Sequence, residues 1–155
     1  MTKKTALILA VDLLALRAYG TEELKFKLQS KGYTGEDIDD AIQILTKRGY
    51  LDDATLCITL FESYCRKEKY SLNYIAQKLM QKGFSLGLVE QCKNQMLCTY
   101  ERKVAEKIFL QKYRPPYPMD VKIMMRYLYS KGFKEAVVKE VISSYVKCEE
   151  NHEDV

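Results

Sequence analysis

Apolar residues recur three and four positions apart along most of the chain, which is the spacing of one face of an α-helix. The first stripe is Leu7, Ala10, Val11, Leu14, Ala15 and Ala18. No stretch alternates β-branched and polar residues, and no Asn-Gly or Asp-Gly pair marks a hairpin turn. The pattern therefore predicts an all-α protein of nine short helices.

One six-residue pattern ends a predicted helix at three places in the chain. Its copies are Leu28-Gln29-Ser30-Lys31-Gly32-Tyr33, Leu79-Met80-Gln81-Lys82-Gly83-Phe84 and Leu128-Tyr129-Ser130-Lys131-Gly132-Phe133. The leucine lies in the last turn, the lysine faces the negative end of the helix dipole, and the glycine supplies the left-handed cap. Because the copies are about fifty residues apart, they predict a tandem array of similar units.

Capping residues divide each unit into three helices. Thr5, Thr21 and Thr34 are predicted N-caps in the first unit, Asp52 or Asp53 begins the second, and Ser71 and Ser85 follow. We predict a first repeat over residues 1–53, a second over 54–99, a third over 100–147 and an acidic tail over 148–155. The predicted architecture is an elongated, curved array of three three-helix repeats, and we expect a monomer.

The charge of the chain favours an anionic partner near its C-terminal end. The formal net charge is +4, from 25 basic and 21 acidic side chains. Residues 103–155 contain ten basic and eight acidic side chains, and four of those eight acids lie in the last seven residues. The basic excess therefore grows toward the third repeat. No apolar run approaches the length of a membrane span, so we expect a cytoplasmic protein with no membrane partner.

The sequence contains no recognisable catalytic or metal-binding motif. His152, the one histidine, lies in the acidic tail, and Cys57, Cys65, Cys92, Cys98 and Cys148 include no Cys-x-x-Cys pair. The carboxylates of Asp37, Asp39 and Asp40 lie at a helix start, where solvation and the dipole explain them. We expect buried free thiols, no cofactor, and no enzymatic activity.

The remaining signal is a binding surface. Twelve tyrosines occur without a tryptophan, and basic residues recur close to the helix stops. Tyrosine is enriched at protein interfaces, and equivalent positions of a repeat array would place the basic residues at intervals along one face. Alternatively, each lysine only complements the C-terminus of its own helix.

Several of these residues together resemble the RecX family of bacterial regulatory proteins. They are Arg17, Thr21-Glu22-Glu23-Leu24, Leu28, Lys31-Gly32, Gly49-Tyr50-Leu51-Asp52-Asp53, Arg66, Ile75, Leu79 and Lys82-Gly83-Phe84. The resemblance spans most of residues 6–145 in the order of the family. It departs at Thr55-Leu56-Cys57, where the family has Phe-Ala, and at Lys69-Tyr70-Ser71-Leu72, where the family has a glycine-containing turn.

The resemblance implies three tandem three-helix repeats that bind the filament of the recombinase RecA on single-stranded DNA. It also implies inhibition of strand exchange, of ATP hydrolysis by the filament and of its co-protease activity. The expected contact residues form a basic track of Arg17, Lys31, Arg66, Lys82, Arg126 and Lys131. Two alternatives stay open: a helical protein that binds DNA directly without RecA, and a scaffold for an acidic protein.

Overall fold

A computed structural model describes residues 2–96 and 98–150, excepting the side chains of residues 98 and 147–150. Within these residues the chain forms nine α-helices and no strand, which confirms the all-α class. The helices are α1 (Ala6–Leu16), α2 (Thr21–Ser30), α3 (Gly35–Lys47), α4 (Asp53–Arg66), α5 (Leu72–Gln81), α6 (Leu86–Asn94), α7 (Cys98–Lys112), α8 (Val121–Ser130) and α9 (Glu135–Glu150).

The described residues form two compact units. The first unit comprises the residues up to Phe61 together with Lys78–Cys92, and the second comprises Glu62–Gln77 together with the residues from Lys93 onward. Residues 54–99, the predicted second repeat, are thus shared between the two units. The division into three repeats stays a prediction.

Each unit has a core built from a three-helix set. In the first unit, α1, α2 and α3 pack on one another around Leu24, Leu28 and Leu45. In the second unit, α7, α8 and α9 do the same around Phe109 and Leu128. The predicted stripe of α1 is only partly buried: Ala10 lies in the core, whereas Val11, Ala15 and Ala18 are exposed.

The three predicted helix stops have the same backbone geometry. Gly32, Gly83 and Gly132 have φ angles of 84°, 96° and 90°, in the left-handed region. In each stop, the amide of the following aromatic residue donates to the carbonyl of the leucine in the last turn, over 3.2–3.4 Å. This is the hydrogen bond of a Schellman cap, and it confirms the predicted stop.

The second stop packs against the start of α2 in the first unit. A Cβ atom added at Gly83 would lie 2.5 Å from Cβ of Glu22, so only glycine allows this approach. Asp53, the first residue of α4, caps the same helix start, because its Oδ1 accepts from the backbone amide of Thr21 at 2.9 Å. The N-terminus of α2 is therefore completed by two residues from later in the chain.

The second unit repeats this arrangement at the start of α5. A Cβ atom added at Gly132 would lie 2.6 Å from Oγ of Ser71, and that hydroxyl donates to the carbonyl of Lys131 at 2.8 Å. The buried carboxylate of Glu101, on α7, accepts from the backbone amide of Leu72 at 2.8 Å. The stop and the carboxylate thus take the positions that Gly83 and Asp53 have in the first unit.

Some predicted boundaries require correction. Thr21 is the first residue of α2 rather than its N-cap; Gly20 occupies the cap position, and Asp53 supplies the side-chain acceptor. Helix α1 ends at Leu16, before Ala18 of the predicted stripe, because Arg17 has extended backbone. Helix α9 continues to Glu150, into the predicted tail. The rest of that tail, with His152, lies outside the described residues.

Three cysteines are free and buried, as the sequence predicted. They are Cys57, Cys65 and Cys92, whereas the side chains of Cys98 and Cys148 lie outside the described set. The Sγ atoms of Cys57 and Cys92 are 3.9 Å apart in the first unit. Burial, reinforced by this second thiol, raises the pKa of Cys57 to about 12. At neutral pH the Cys57 side chain is therefore a protonated thiol.

We expect Cys57 to resist alkylation in the native protein. Because only the thiolate is nucleophilic, iodoacetamide at pH 8 should modify it more than about a hundredfold more slowly than in the unfolded chain. Peptide mapping by mass spectrometry after timed quenching measures this ratio, with protein in guanidinium chloride as the control. Rapid native labelling at Cys57 would contradict the buried position.

Candidate functional site

The six residues of the predicted basic track are all solvent-exposed, three in each unit. Arg17, Lys31 and Lys82 lie in the first unit; Arg66, Arg126 and Lys131 lie in the second. Their contacts differ, and the differences separate residues that hold the fold together from residues that are available to a ligand.

Arg17 joins the end of α1 to the start of α2. Its guanidinium makes two hydrogen bonds to the carboxylate of Glu23, at 2.6 and 3.3 Å, and lies 3.8 Å from the ring centroid of Tyr19. The bond to Arg17 holds the pKa of Glu23 below its usual value, and the charge of Lys82 contributes to the shift. Arg17 therefore has a structural partner, and Lys82 lies close enough to Glu23 to act on the same carboxylate.

Lys31 and Lys82 occupy equivalent positions in the first and second helix stops. Within the described part of the chain, neither ammonium group has a carboxylate within 4.0 Å. Both charges are available to an anionic ligand.

In the second unit, the three predicted residues are not equivalent. Arg66 pairs with Glu62 one turn earlier on α4, with Nη2 and Oε2 3.6 Å apart. Arg126, on α8, is exposed and has no carboxylate within 4.0 Å among the described residues. Lys131 lies at the third stop and lines a cleft in this unit.

This cleft has a volume of about 440 Å³ and is lined mainly by long polar side chains. The connector between α4 and α5 contributes Glu68 and Lys69, α7 contributes Lys107 and Gln111, and the end of α8 contributes Tyr127 and Lys131. Ile108 of α7 completes the lining, and we call these seven residues the lysine cleft. Its lining contains three ammonium groups and one carboxylate, so its net charge is positive.

Tyr127 lies among lysine side chains at the edge of the cleft. The Nζ atom of Lys112 is 3.9 Å from the centroid of its ring, and Nζ of Lys131 is 5.5 Å from it. The edge of the ring meets Tyr113 at a centroid distance of 5.7 Å. Attraction between the ring face and the two ammonium groups keeps both charges beside the cleft.

Glu68 is the one carboxylate in the lining of the cleft, and its backbone is unusual. Its φ angle is 50°, a left-handed conformation that costs a non-glycine residue about 1 kcal/mol or more. One carboxylate oxygen is 2.6 Å from Nζ of Lys103, and the other is 3.5 Å from Nζ of Lys107. The hydrogen bond and charge of Lys103 lower the pKa of Glu68, so it is ionised at neutral pH.

The cleft can bind an anion with several oxygen atoms, and sequence reasoning identified only part of it. Lys131 was predicted from its helix stop, whereas Lys69, Lys107, Gln111 and Tyr127 were not assigned to the site. A signal existed in α7, where Lys103, Lys107 and Gln111 are each four residues apart and therefore share one helix face.

A second exposed feature lies in the first unit and is apolar. A cavity of about 350 Å³ is lined by Leu7, Ile8, Val11 and Asp12 of α1, with Leu45, Arg48 and Tyr50 from the end of α3 and beyond. The side chains of Ile8, Val11 and Tyr50 are 49%, 48% and 65% exposed. Exposed apolar surface of this kind, bordered by the charged side chains of Asp12 and Arg48, can contact another protein.

Neither a metal site nor a membrane span is found in the part of the chain that the structure describes. No group of three or more His, Cys, Asp or Glu side chains there is arranged to hold a metal ion. No helix among the same residues is long and apolar enough to cross a bilayer.

Comparisons with known proteins converge on one family. Residues 6–45 match the family description "RecX, first three-helix domain". A regulatory protein RecX from Pelodictyon phaeoclathratiforme is 33% identical over 86 residues, 56% of this chain and 54% of the relative, so the alignment spans about half of that protein. A regulatory protein RecX from Ectopseudomonas mendocina is 32% identical over 64% of this chain and 71% of the relative.

The fold has a counterpart among solved structures. The crystal structure of a regulatory protein RecX superposes with a TM-score of 0.80, at 18% sequence identity, over 88% of this chain and 69% of that one. At this identity the similarity supports the fold alone.

Proposed function

The chain belongs to the RecX family of regulatory proteins, and we propose that it is a negative regulator of the bacterial recombinase RecA. In this proposal it binds the RecA filament on single-stranded DNA and inhibits strand exchange, ATP hydrolysis and co-protease activity. It acts in the cytoplasm as a monomer, by binding and without catalysis. The observation that carries the proposal is the similarity to regulatory proteins named RecX.

Two surface features support a contact with a protein–DNA filament. Exposed lysines without carboxylate partners, among them Lys31, Lys82 and Lys131, offer charge to the DNA backbone or to acidic protein surface. The apolar cavity beside Ile8 and Tyr50 offers the desolvated contact that a protein partner fills. A ligand made of both protein and DNA accounts for the two features together.

The proposed mechanism is that the protein contacts neighbouring subunits of the filament. It then either caps filament growth or displaces subunits that are already bound. Both routes reduce the number of RecA subunits on DNA, and therefore reduce the ATP hydrolysis that depends on DNA.

The test is RecA-catalysed ATP hydrolysis on single-stranded DNA, titrated with this protein and using a cognate RecA. The proposal expects inhibition at protein concentrations well below that of RecA. The absence of inhibition, together with salt-sensitive binding to naked DNA, would support the alternative of a protein that acts on DNA directly.

Reversing four exposed charges of the basic track should abolish most of the inhibition. The variant K31E/K82E/R126E/K131E leaves Arg17 and Arg66 in place, because both have carboxylate partners. Since juxtaposed like charges cost several kcal/mol, the half-inhibitory concentration should rise by at least about tenfold. The ATPase titration measures it, and circular dichroism should show a melting temperature close to that of the parent.

A matched control carries the same change in net charge at exposed lysines outside the track. The variant K27E/K47E/K122E/K134E serves this purpose. Equal loss of inhibition in both variants would assign the effect to net charge alone. Full inhibition by the track variant would remove the track from the proposal.

A further inference from the structure

We propose that the lysine cleft binds the phosphodiester backbone of nucleic acid and that Glu68 is an internal competitor for that ligand. The inference rests on the proposed function, in which DNA within the filament is part of the target. It goes further by assigning the DNA contact to one cleft of the second unit, and by identifying a residue that lowers its affinity.

The cleft presents more positive charge than its own carboxylate neutralises. Glu68 accounts for one negative charge, and Lys69, Lys107 and Lys131 supply three positive ones. Neither Lys69 nor Lys131 has a carboxylate within 4.0 Å in the described structure. Gln111 adds a neutral amide donor in the same lining. An anion with several oxygen atoms can therefore be bound from more than one side.

The composition of the cleft favours phosphate over an acidic protein surface. Protein interfaces are depleted in lysine, whereas contacts to nucleic-acid backbone rely on lysine and arginine. The apolar member of the lining, Ile108, is only 8% exposed and offers little surface to an apolar partner. The cleft therefore has the chemistry to bind a backbone phosphate.

The carboxylate of Glu68 occupies the position that a phosphate would take. Its two oxygens contact the ammonium groups of Lys103 and Lys107, as two oxygens of one phosphate can. The side chains of Lys103 and Lys107 remain 66% and 44% exposed, so the pair is weak and can be replaced from solvent. A bound phosphate must displace Glu68, because the carboxylate repels it.

The experiment is fluorescence anisotropy of labelled oligonucleotides with the full chain, in the absence of RecA. One arm uses a single-stranded oligonucleotide and the other uses the duplex of the same sequence, which distinguishes the two forms of backbone. We compare the parent, E68Q and the double variant K107Q/K131Q. The control is E135Q, which loses one exposed carboxylate from an ion pair with Lys139 outside the cleft.

We expect E68Q to bind at least one of the two oligonucleotides about three- to fivefold more tightly than the parent, the range of an exposed ion pair. The dependence of log K on log salt should steepen by about 0.7 on the single strand, or about 0.9 on the duplex, for each further phosphate contact made. E135Q should change affinity less than twofold, and K107Q/K131Q should weaken binding and flatten the salt dependence. A preference for one arm identifies the backbone form that the cleft accepts.

Three results would overturn the inference. Equal gains for E68Q and E135Q would mean that net charge alone is responsible. Unchanged binding by K107Q/K131Q would place the DNA elsewhere. Competition by poly-glutamate as strong as that by unlabelled oligonucleotide would identify an acidic protein ligand.

These experiments distinguish a failure of the cleft assignment from a failure of the proposed function. Inhibition of RecA without naked-DNA binding would remove the cleft assignment and leave the regulator intact. DNA binding that depends on the cleft, without any effect on RecA, would keep the cleft assignment and remove the proposed regulation of RecA.

Discussion

Replacing Gly83 by alanine should lower the free energy of unfolding by about 3 kcal/mol, the largest effect we expect from a single methyl group in this chain. A left-handed φ costs an alanine about 1–2 kcal/mol, and overpacking adds about 1–3 kcal/mol. The new methyl group would lie 2.5 Å from Cβ of Glu22, an atom fixed to the backbone of α2. Helix α2 must therefore shift, and its hydrogen bond to Asp53 shifts with it.

Gly32 provides a matched control for this prediction. It has the same type of backbone, with a φ angle of 84°, but an added Cβ atom there meets nothing within 4 Å. Gly32→Ala should therefore cost only the conformational part, about 1–2 kcal/mol. Urea unfolding followed by circular dichroism at 222 nm measures both values. Equal losses of unfolding free energy in the two variants would show that Gly83 is not closely packed against α2.

Replacing Glu101 by alanine should cost about 2–3 kcal/mol, because it removes a buried acceptor. The carboxylate accepts from the amide of Leu72 at 2.8 Å, and both residues are buried. Without it, the first amide of α5 loses its acceptor, and a buried donor left without a partner costs about 1–3 kcal/mol. The lost attraction between the carboxylate and the helix dipole adds to the effect.

Asp52 provides the comparison for this prediction, because it is a capping carboxylate that is exposed to solvent. It caps α4 locally, accepting from the amide and hydroxyl of Thr55 at 3.1 and 2.8 Å. Water can replace it, so Asp52→Ala should cost about 1 kcal/mol. Glu101→Gln keeps an acceptor oxygen and should retain part of the stability. Urea unfolding ranks the variants, and a larger loss for Asp52→Ala than for Glu101→Ala would contradict the buried cap.

The sequence predicted those features of the fold that depend on neighbours in the chain. The stops at Gly32, Gly83 and Gly132 follow from side chains within six residues, and the cap at Thr34 follows from the next turn. The caps supplied by Asp53 and Glu101 could not be predicted in the same way. Their partners are 32 and 29 positions away, and only the packing of whole helices brings them together.

In the candidate site, too, only the residue that belongs to a local sequence pattern was predicted. Lys131 was predicted because its position in a helix stop repeats. Lys69 and Lys107 join it only because the α4–α5 connector, α7 and α8 meet in space. Arg17 had the right charge and exposure for a ligand contact, but Glu23, across a tight turn, takes up its guanidinium. Residue type and spacing indicate where charge lies, and not which charges are already paired.

The completion of α2 by later residues bears on how the chain folds during synthesis. Asp53 follows Thr21 by 32 positions and Gly83 follows Glu22 by 61, so the ribosome releases α2 well before either partner. In the second unit, the start of α5 is likewise completed only after Glu101 and then Gly132 have been synthesised. A nascent chain thus carries an unfinished helix start at each stage of its emergence. The stops at Gly83 and Gly132 each complete a helix start made earlier in the chain, so we expect assembly to proceed from the N-terminus to the C-terminus.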